Sequence, residues 1–176
     1  TLENNRVVRL ELPNNNLRSR GLPAEIERLV ALRVLNLSGN AIGDEQGLVR
    51  VLGLQSLEEL QLANCNLSGR LDAVRPASLN TPVRSLCNLT TLRTLNLAQN
   101  RFVGTIATCL GNLEELRELN LSGNLLSGEI PSGFVQGTTF LAERKGAARL
   151  TALGKLQSLN LSNNQLSGAV PLEFTT

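Results

Sequence analysis

Leucines recur along the chain at fixed steps, in the frame L-x-x-L-x-L-x-x-N/C-x-L, which occurs six times. Within each frame the L-x-L step alternates apolar and polar residues, and this alternation predicts a short, half-buried strand. Successive frames are 25, 25, 35, 24 and 40 residues apart. A frame that recurs at this spacing predicts one supersecondary unit per copy, stacked on the next copy.

We expect the strands to pair edge to edge in a parallel sheet on one side of a solenoid, with the leucines filling one continuous core. After each strand the chain turns inward, and buried backbone N–H and C=O groups at such a turn need partners. A side-chain amide can both donate and accept hydrogen bonds. We therefore predict a structural ladder at the closing position of each frame, in which the one cysteine packs as a buried thiol. Its members are Asn15, Asn40, Cys65, Asn100, Asn124 and Asn164.

The second half of several repeats has the pattern L-S-G-x-I-P, as at residues 126–131 and, with Val for Ile, 166–171. Together with the leucine frame, this pattern resembles the plant-type leucine-rich repeat family of receptor-kinase ectodomains, receptor-like proteins and polygalacturonase inhibitors. The resemblance implies an α/β repeat solenoid of six repeats, wound as a right-handed superhelix or horseshoe with a parallel sheet on its concave face. It also implies a second set of short extended segments at L-S-G-x-I-P.

We predict a single leucine-rich repeat domain over residues 1–176, and the lack of the family's cysteine-pair cap indicates part of a longer array. The two long spacings place insertions at about 72–88 and 132–152. The second insertion carries Arg144, Lys145 and Arg149, which we interpret as a candidate docking element because insertions in repeat arrays often contact partners. The alternative is a solvated face of a short helix.

A ligand on the strand face would contact the side chains that alternate with the inward leucines. The candidate ligand-binding residues are Arg9, Glu11, Val34, Asn36, Glu59, Gln61, Thr94, Asn96, Glu118, Asn120, Ser158 and Asn160. A third column of small residues follows, namely Pro13, Ser38, Ala63, Ala98, Ser122 and Ser162. The set lacks aromatic side chains, which interface hot spots favour. The asparagine column has a purely structural alternative, in which its side chains hydrogen-bond along the sheet.

The composition excludes several kinds of catalytic and metal-binding site. The chain has no histidine, which excludes Ser-His-Asp and Cys-His catalysis and histidine zinc sites, and its three cysteines are too few for a four-cysteine metal site. No phosphate-binding glycine motif is present, and the net charge of +2 gives no indication of a nucleic-acid partner. The chain has no apolar run of about 18 residues, so its sequence does not predict a membrane helix. We therefore predict no catalytic residues, no metal and no cofactor, with another protein or a peptide as partner.

Five N-x-S/T triplets are candidate glycosylation sites, at Asn36, Asn66, Asn88, Asn120 and Asn160. Four of them follow partly from the N-L-S of the repeat frame, so Asn88 is the best single candidate. Cys87 and Cys109 lie 22 residues apart on the convex sides of neighbouring coils, and the sequence leaves their pairing open. The favoured location is extracellular or at the cell surface, and the alternative is intracellular.

These observations predict non-catalytic protein or peptide recognition by a cell-surface receptor-like or secreted leucine-rich repeat protein. One alternative is an intracellular or structural scaffold, as a subunit of a larger assembly or the recognition domain of a larger enzyme. Another is an enzyme inhibitor that resembles the polygalacturonase inhibitors.

Overall fold

Each frame forms a three-residue strand, as the alternation predicts, and the strand is centred on the first leucine of the L-x-L step. The computed structural model describes residues 1–3, 5–43, 45–71, 85–131 and 155–171, with the backbone alone at 45–47. Six parallel strands form one sheet, and their order in the sheet is their order in the sequence, so each coil stacks on the one before it. The strands are Arg9–Glu11, Val34–Asn36, Glu59–Gln61, Thr94–Asn96, Glu118–Asn120 and Ser158–Asn160. The predicted repeat solenoid is confirmed.

The sheet register places the central leucines of the strands in one column under the sheet. In the inner coils these side chains, such as Leu35, Leu60 and Leu95, have no exposed surface. Each leucine buried in this way contributes roughly 1.5–3 kcal/mol to the free energy of unfolding. Leu10 and Leu159 in the two outer coils are only partly buried, because a described coil packs against them on one side only.

A second parallel sheet lies behind the first and contains four strands, in agreement with the extended segments that the family resemblance implies. They are Ser68–Arg70, Arg101–Gly104, Leu125–Glu129 and Gln165–Ser167. The second repeat lacks the Ser-Gly element, and the residues described for it contribute no strand to this sheet. Its Gly43 instead lies against the backbone of Asn66, where an added Cβ would be 2.0 Å from the Asn66 carbonyl oxygen. Only glycine permits so close an approach of two backbones.

The convex side carries short helices. Pro23 precedes the 3₁₀ helix Ala24–Arg28 with a φ of −63°, and Ile26 of that helix is buried. The α-helix Glu45–Val51 follows Gly43 and packs against this 3₁₀ helix. Two further 3₁₀ helices are Leu86–Asn88 and Thr108–Asn112. An antiparallel pair, Leu2–Glu3 with Arg6–Val7, precedes the first coil.

The predicted insertions lie largely outside the described residues, as do Arg144, Lys145 and Arg149. Residues 85–88 are an exception, because the structure describes them as part of a coil of the solenoid. Leu86 is buried at the place in its coil that Leu110 occupies 24 residues later. An apolar side chain at this position completes the core of the repeat, and the bounds of the first insertion stay a prediction.

Candidate functional site

The strand face brings the predicted contact residues together in two columns. Parallel pairing aligns Arg9, Val34, Glu59, Thr94, Glu118 and Ser158 in the first column. It aligns Glu11, Asn36, Gln61, Asn96, Asn120 and Asn160 in the second. Neighbouring members of each column are one strand spacing apart, about 4.8 Å.

Three residues of this face are buried, contrary to the prediction that they are available for contact. Val34 is 7% exposed and lies in register between Arg9 and Glu59, whose longer side chains flank it. Ala98 and Ser122, in the third column, are 6% and 7% exposed, because they lie where each strand turns inward toward the core. The surface available to a partner is therefore narrower than the alternation predicts.

The asparagines of the second column hold their side chains in one orientation. The Oδ1 of Asn96 accepts a hydrogen bond from the backbone N–H of Ala98 at 3.1 Å, within its own coil. The Oδ1 atoms of Asn36, Asn120 and Asn160 accept the same hydrogen bond, each from the backbone N–H of the residue two positions later. These bonds run within each coil and not along the sheet. The alternative prediction, that the asparagine side chains hydrogen-bond along the sheet, is therefore wrong. Among the described residues, the Nδ2 groups of these four asparagines have no hydrogen-bond acceptor.

Charged residues accumulate around the first strands. Arg9 and Glu11 form an ion pair at 2.9 Å, and this carboxylate raises the pKa of the Arg9 guanidinium. Along the edge where the strands begin, Arg33 lies 3.6 Å from Glu3 and 3.8 Å from Glu58. These pairs are exposed to solvent, which screens them, so they stabilise the fold little. The repeat frame gave no indication of this row, although Arg33 and Glu58 directly precede strands of the sheet.

The same edge continues into the last two coils. The carboxylate of Glu58 also lies 3.6 Å from Arg93. Glu115 accepts a hydrogen bond from the ammonium of Lys155, and this bond lowers the pKa of the Glu115 carboxyl. The strand-start edge therefore carries charges of both signs, most of which are paired with an opposite charge.

The ladder of closing residues fastens each coil to the preceding one. The Nδ2 of Asn100 donates to the carbonyl oxygens of Leu62, one coil earlier, at 2.8 Å and of Leu97 at 3.0 Å. Its Oδ1 accepts from the backbone N–H of Cys65 at 3.1 Å and of Leu67 at 3.0 Å. Asn40, Asn124 and Asn164 also bond to backbone groups of the preceding coil.

Cys65 replaces an asparagine in this ladder. Its thiol donates to the Leu37 carbonyl oxygen at 3.2 Å, a bond to the preceding coil like those of the ladder asparagines. Burial raises the pKa of this thiol. Asn15, by contrast, is exposed, and its side chain donates only to the carbonyl of Pro13 in its own coil, at 2.9 Å. It lies outside the buried ladder, because no described coil precedes it at that position.

The five glycosylation motifs occupy three different places. Asn36, Asn120 and Asn160 are on the strand face, Asn66 follows the third strand, and Asn88 ends a convex 3₁₀ helix. Asn66, Asn88 and Asn160 are exposed, whereas Asn36 and Asn120 are partly exposed. A glycan attaches at Nδ2, so the Oδ1 bond of a strand-face asparagine is compatible with modification.

Cys87 and Cys109 form a disulfide between neighbouring convex helices, with Cα atoms 5.6 Å apart. Cys87 follows the inward Leu86, and Cys109 precedes the inward Leu110. At three residues per 3₁₀ turn, residues on either side of an inward residue point to opposite neighbours. The two-place offset in register therefore turns the two sulfurs toward each other, which resolves the pairing that the sequence left open.

In the part of the chain that the structure describes, no three His, Cys, Asp or Glu side chains are grouped so that they could hold a metal ion. None of its helices combines the length and the apolar character needed to span a membrane.

Comparison with known families matches most of the repeats. The family described as Leucine Rich Repeat matches residues 56–74, 91–113, 115–136 and 155–176. A second leucine-rich repeat description matches residues 31–45. Together these segments cover more than half of the chain. No curated protein sequence matches the chain significantly.

Solved structures share the fold. The ectodomain of the Arabidopsis thaliana receptor kinase GASSHO1/SCHENGEN3, in complex with CASPARIAN STRIP INTEGRITY FACTOR 2, has 30% identity and a TM-score of 0.70. The Arabidopsis receptor kinase HAESA, in complex with the peptide hormone IDA and the co-receptor SERK1, has 29% identity and a TM-score of 0.66. A plant ice-binding protein has 27% identity and a TM-score of 0.70.

These matches cover 94%, 89% and 97% of this chain, but the chain spans only 17%, 22% and 46% of the three proteins. The leucine frame, the asparagine ladder and the second sheet at L-S-G-x-I-P agree with this likeness. The chain belongs to the leucine-rich repeat family and has the plant-type form of the repeat.

Proposed function

We propose that this chain is a non-catalytic recognition module whose concave strand face binds a peptide or an extended segment of another protein. The observation that carries the proposal is the row of asparagine side chains in the second column. The Oδ1 of each is held by its own strand, while the Nδ2 of Asn36, Asn96 and Asn120 has no acceptor among the described residues. Asn96 and Asn120 lie on adjacent strands, about 4.8 Å apart, and Asn36 lies two strands from Asn96. Such a row offers oriented donors to the backbone carbonyls of a peptide laid across the sheet.

Two of the similar structures support a peptide partner. GASSHO1/SCHENGEN3 and HAESA were both solved with a bound factor or peptide hormone, on the same fold. This chain is much shorter than either, so the proposal concerns recognition by this module and not the activity of a whole receptor. The polar face without aromatic anchors favours modest affinity, because hot spots are enriched in Trp, Tyr and Arg.

We also propose a secreted or cell-surface location. The Cys87–Cys109 disulfide supports it, since disulfides form and persist in oxidising compartments. The exposed glycosylation motifs at Asn66, Asn88 and Asn160 agree with it. The intracellular scaffold is the less favoured alternative, because a reducing cytosol would open the disulfide.

A peptide-selection experiment tests the proposed function. A random library of extended twelve-residue peptides is selected against the protein, and binders are measured by calorimetry against paired variants. Asn96→Asp with Asn120→Asp keeps both Oδ1 acceptors but removes two donors and adds charge. Gln55→Glu makes the same chemical change at an exposed position outside the strand face.

We expect the double variant to weaken binding of the selected peptides at least tenfold and Gln55→Glu to change it less than twofold. Selected peptides that bind both variants equally well would contradict the proposal. If no peptide in the library binds the strand face of the unmodified protein, that result would also contradict the proposal.

A further inference from the structure

An open groove of about 740 Å³ crosses the turns that follow the strands, at the edge opposite the compensated row of charges. It extends from Asn16 in the first coil, past Asn64 and Asn66 in the third, to Gly123 in the fifth. It is distinct from the two columns of the strand face, since none of their residues lines it. Neither the family comparison nor the proposed function assigns it a role.

The floor and rim of this groove are made of amides in a left-handed backbone conformation. Asn16, Asn64, Asn66 and Gln99 have φ values of 54°, 52°, 59° and 55°. Non-glycine residues adopt this conformation rarely, and asparagine tolerates it best. The side chain of Gln99 lies over Gly123, where an added Cβ would meet its Nε2. The amides of Asn64 and Asn66 have no side-chain hydrogen bond to any described residue.

The groove is rimmed by three arginines and has no carboxylate among its lining residues. Arg18 donates from Nε to the Oδ1 of Asn16 at 3.2 Å, so its guanidinium is partly oriented. Arg20 and Arg101 are exposed and form no ion pair with any described residue. At the opposite edge Arg33 and Arg93 face glutamates, so the positive charge of the groove is a local property and not that of the whole chain.

The spacing of these charges indicates an extended ligand. Arg18 is in the first coil and Arg101 in the fourth, three strand spacings or about 14 Å apart. A single inorganic ion cannot span that distance. Neutral amides lie between the two ends, where they can donate to and accept from hydroxyl groups. Apart from Ala41, no apolar side chain lines the groove, so it lacks the pockets that hold the anchors of a peptide.

We propose that this groove binds an acidic oligosaccharide, with its carboxylate or sulfate groups on the arginines and its hydroxyls on the amides between them. Guanidinium groups suit both anions because their planar fork donates two parallel hydrogen bonds. Asn66 lies inside the groove and begins a glycosylation motif, so a glycan on Asn66 would occupy the same space. Binding and glycosylation at Asn66 are therefore mutually exclusive.

The test uses the Ser68→Ala protein, which loses the motif but keeps Asn66. Four probes are compared by calorimetry: a uronic acid hexasaccharide, a sulfated hexasaccharide, a neutral hexasaccharide and hexaglutamate. We expect one of the acidic sugars to bind more tightly than the other three probes, and its affinity to fall as salt is raised. The better of the two acidic sugars identifies whether carboxylate or sulfate is the natural group.

Paired variants locate the site. Arg18→Gln with Arg101→Gln should weaken binding of the acidic sugar at least tenfold. Arg117→Gln, which removes an exposed arginine from the strand-start edge, should change it less than twofold. Circular dichroism would establish that each variant is folded.

Four outcomes would overturn the proposal: no binding of either acidic sugar, equal binding of the neutral sugar, equal or tighter binding of hexaglutamate, or an equal loss in Arg117→Gln. Peptides selected on the strand face should bind the arginine variants unchanged, so the two proposed sites can fail independently.

Discussion

The side-chain oxygen of Asn100 lies 3.1 Å from the backbone nitrogen of Cys65, which is 35 residues earlier and one coil away. The same oxygen accepts from Leu67, and the Asn100 amide nitrogen donates to Leu62 in that coil. One side chain thus satisfies three buried backbone groups of its neighbour. The stacking of coils therefore depends on polar contacts at the turn as well as on the leucine core.

Replacing Asn100 with alanine should lower the free energy of unfolding by more than about 3 kcal/mol, because several buried backbone groups lose their partner at about 1–3 kcal/mol each. Asn15→Ala should cost less than about 1 kcal/mol, since its amide is exposed and makes one local bond. Urea denaturation of both variants measures the difference. Equal losses would mean that the ladder does not hold the coils together.

Gly39 is restricted by its neighbour as well as by its backbone. Its φ is +74°, and an added Cβ would lie 2.0 Å from the Oδ1 of Asn14 in the preceding coil. Gly39→Ala should therefore destabilise by more than the roughly 1 kcal/mol that glycine-to-alanine strain alone costs at positive φ. Asn14→Gly removes the overlap and should recover part of the loss in a double-mutant cycle by thermal unfolding. Strictly additive effects would show that the two residues do not interact.

The three cysteines should react in a defined order. In the folded protein no thiol should react quickly with a disulfide reagent, because Cys65 is buried and Cys87 is bonded to Cys109. One thiol should react after unfolding without reductant, and three after unfolding with reductant. Three reactive thiols in the unreduced, natively produced protein would contradict the disulfide and the proposed oxidising location.

Burial of the Cys65 thiol also makes stability depend on pH. Burial raises the pKa of Cys65 in the folded state above its unfolded value, which is ordinarily about 8.5. The contribution is fully present below the unfolded pKa and is lost as pH rises through the folded pKa. Unfolding free energy should therefore fall above about pH 8.5. The fall should be smaller in Cys65→Ala, and an unchanged slope would exclude this thiol as its source.

Secretion should attach a glycan to Asn88, which is exposed on the convex side away from the strand face. The intact mass of the protein secreted by eukaryotic cells should exceed the mass of the chain, and Asn88→Gln should remove one glycan. Thr108→Ala, an exposed convex change outside any motif, serves as the control. A secreted protein with the bare mass of the chain would contradict glycosylation at this site.

The sequence predicted the strands, the second sheet and most of the ladder, because a strict repeat places each residue type in the same environment in every coil. It failed where neighbouring coils differ. Val34 is buried between longer side chains, Asn15 has no described coil before it, and the charged row arises from residues that the frame leaves variable. The groove depends on left-handed turns at Asn64 and Asn66, which no spacing rule indicates.

Recognition by the strand face can be tested most directly on the asparagine side-chain amides. A selected peptide is added to ¹⁵N-labelled protein, and the Nδ2 signals are followed by NMR. We expect the signals of Asn96 and Asn120 on the strand face to shift, while those of Asn100 and Asn124 in the buried ladder stay in place. Unchanged strand-face signals, with shifts only at other surfaces such as Asn64 and Asn66, would contradict the account.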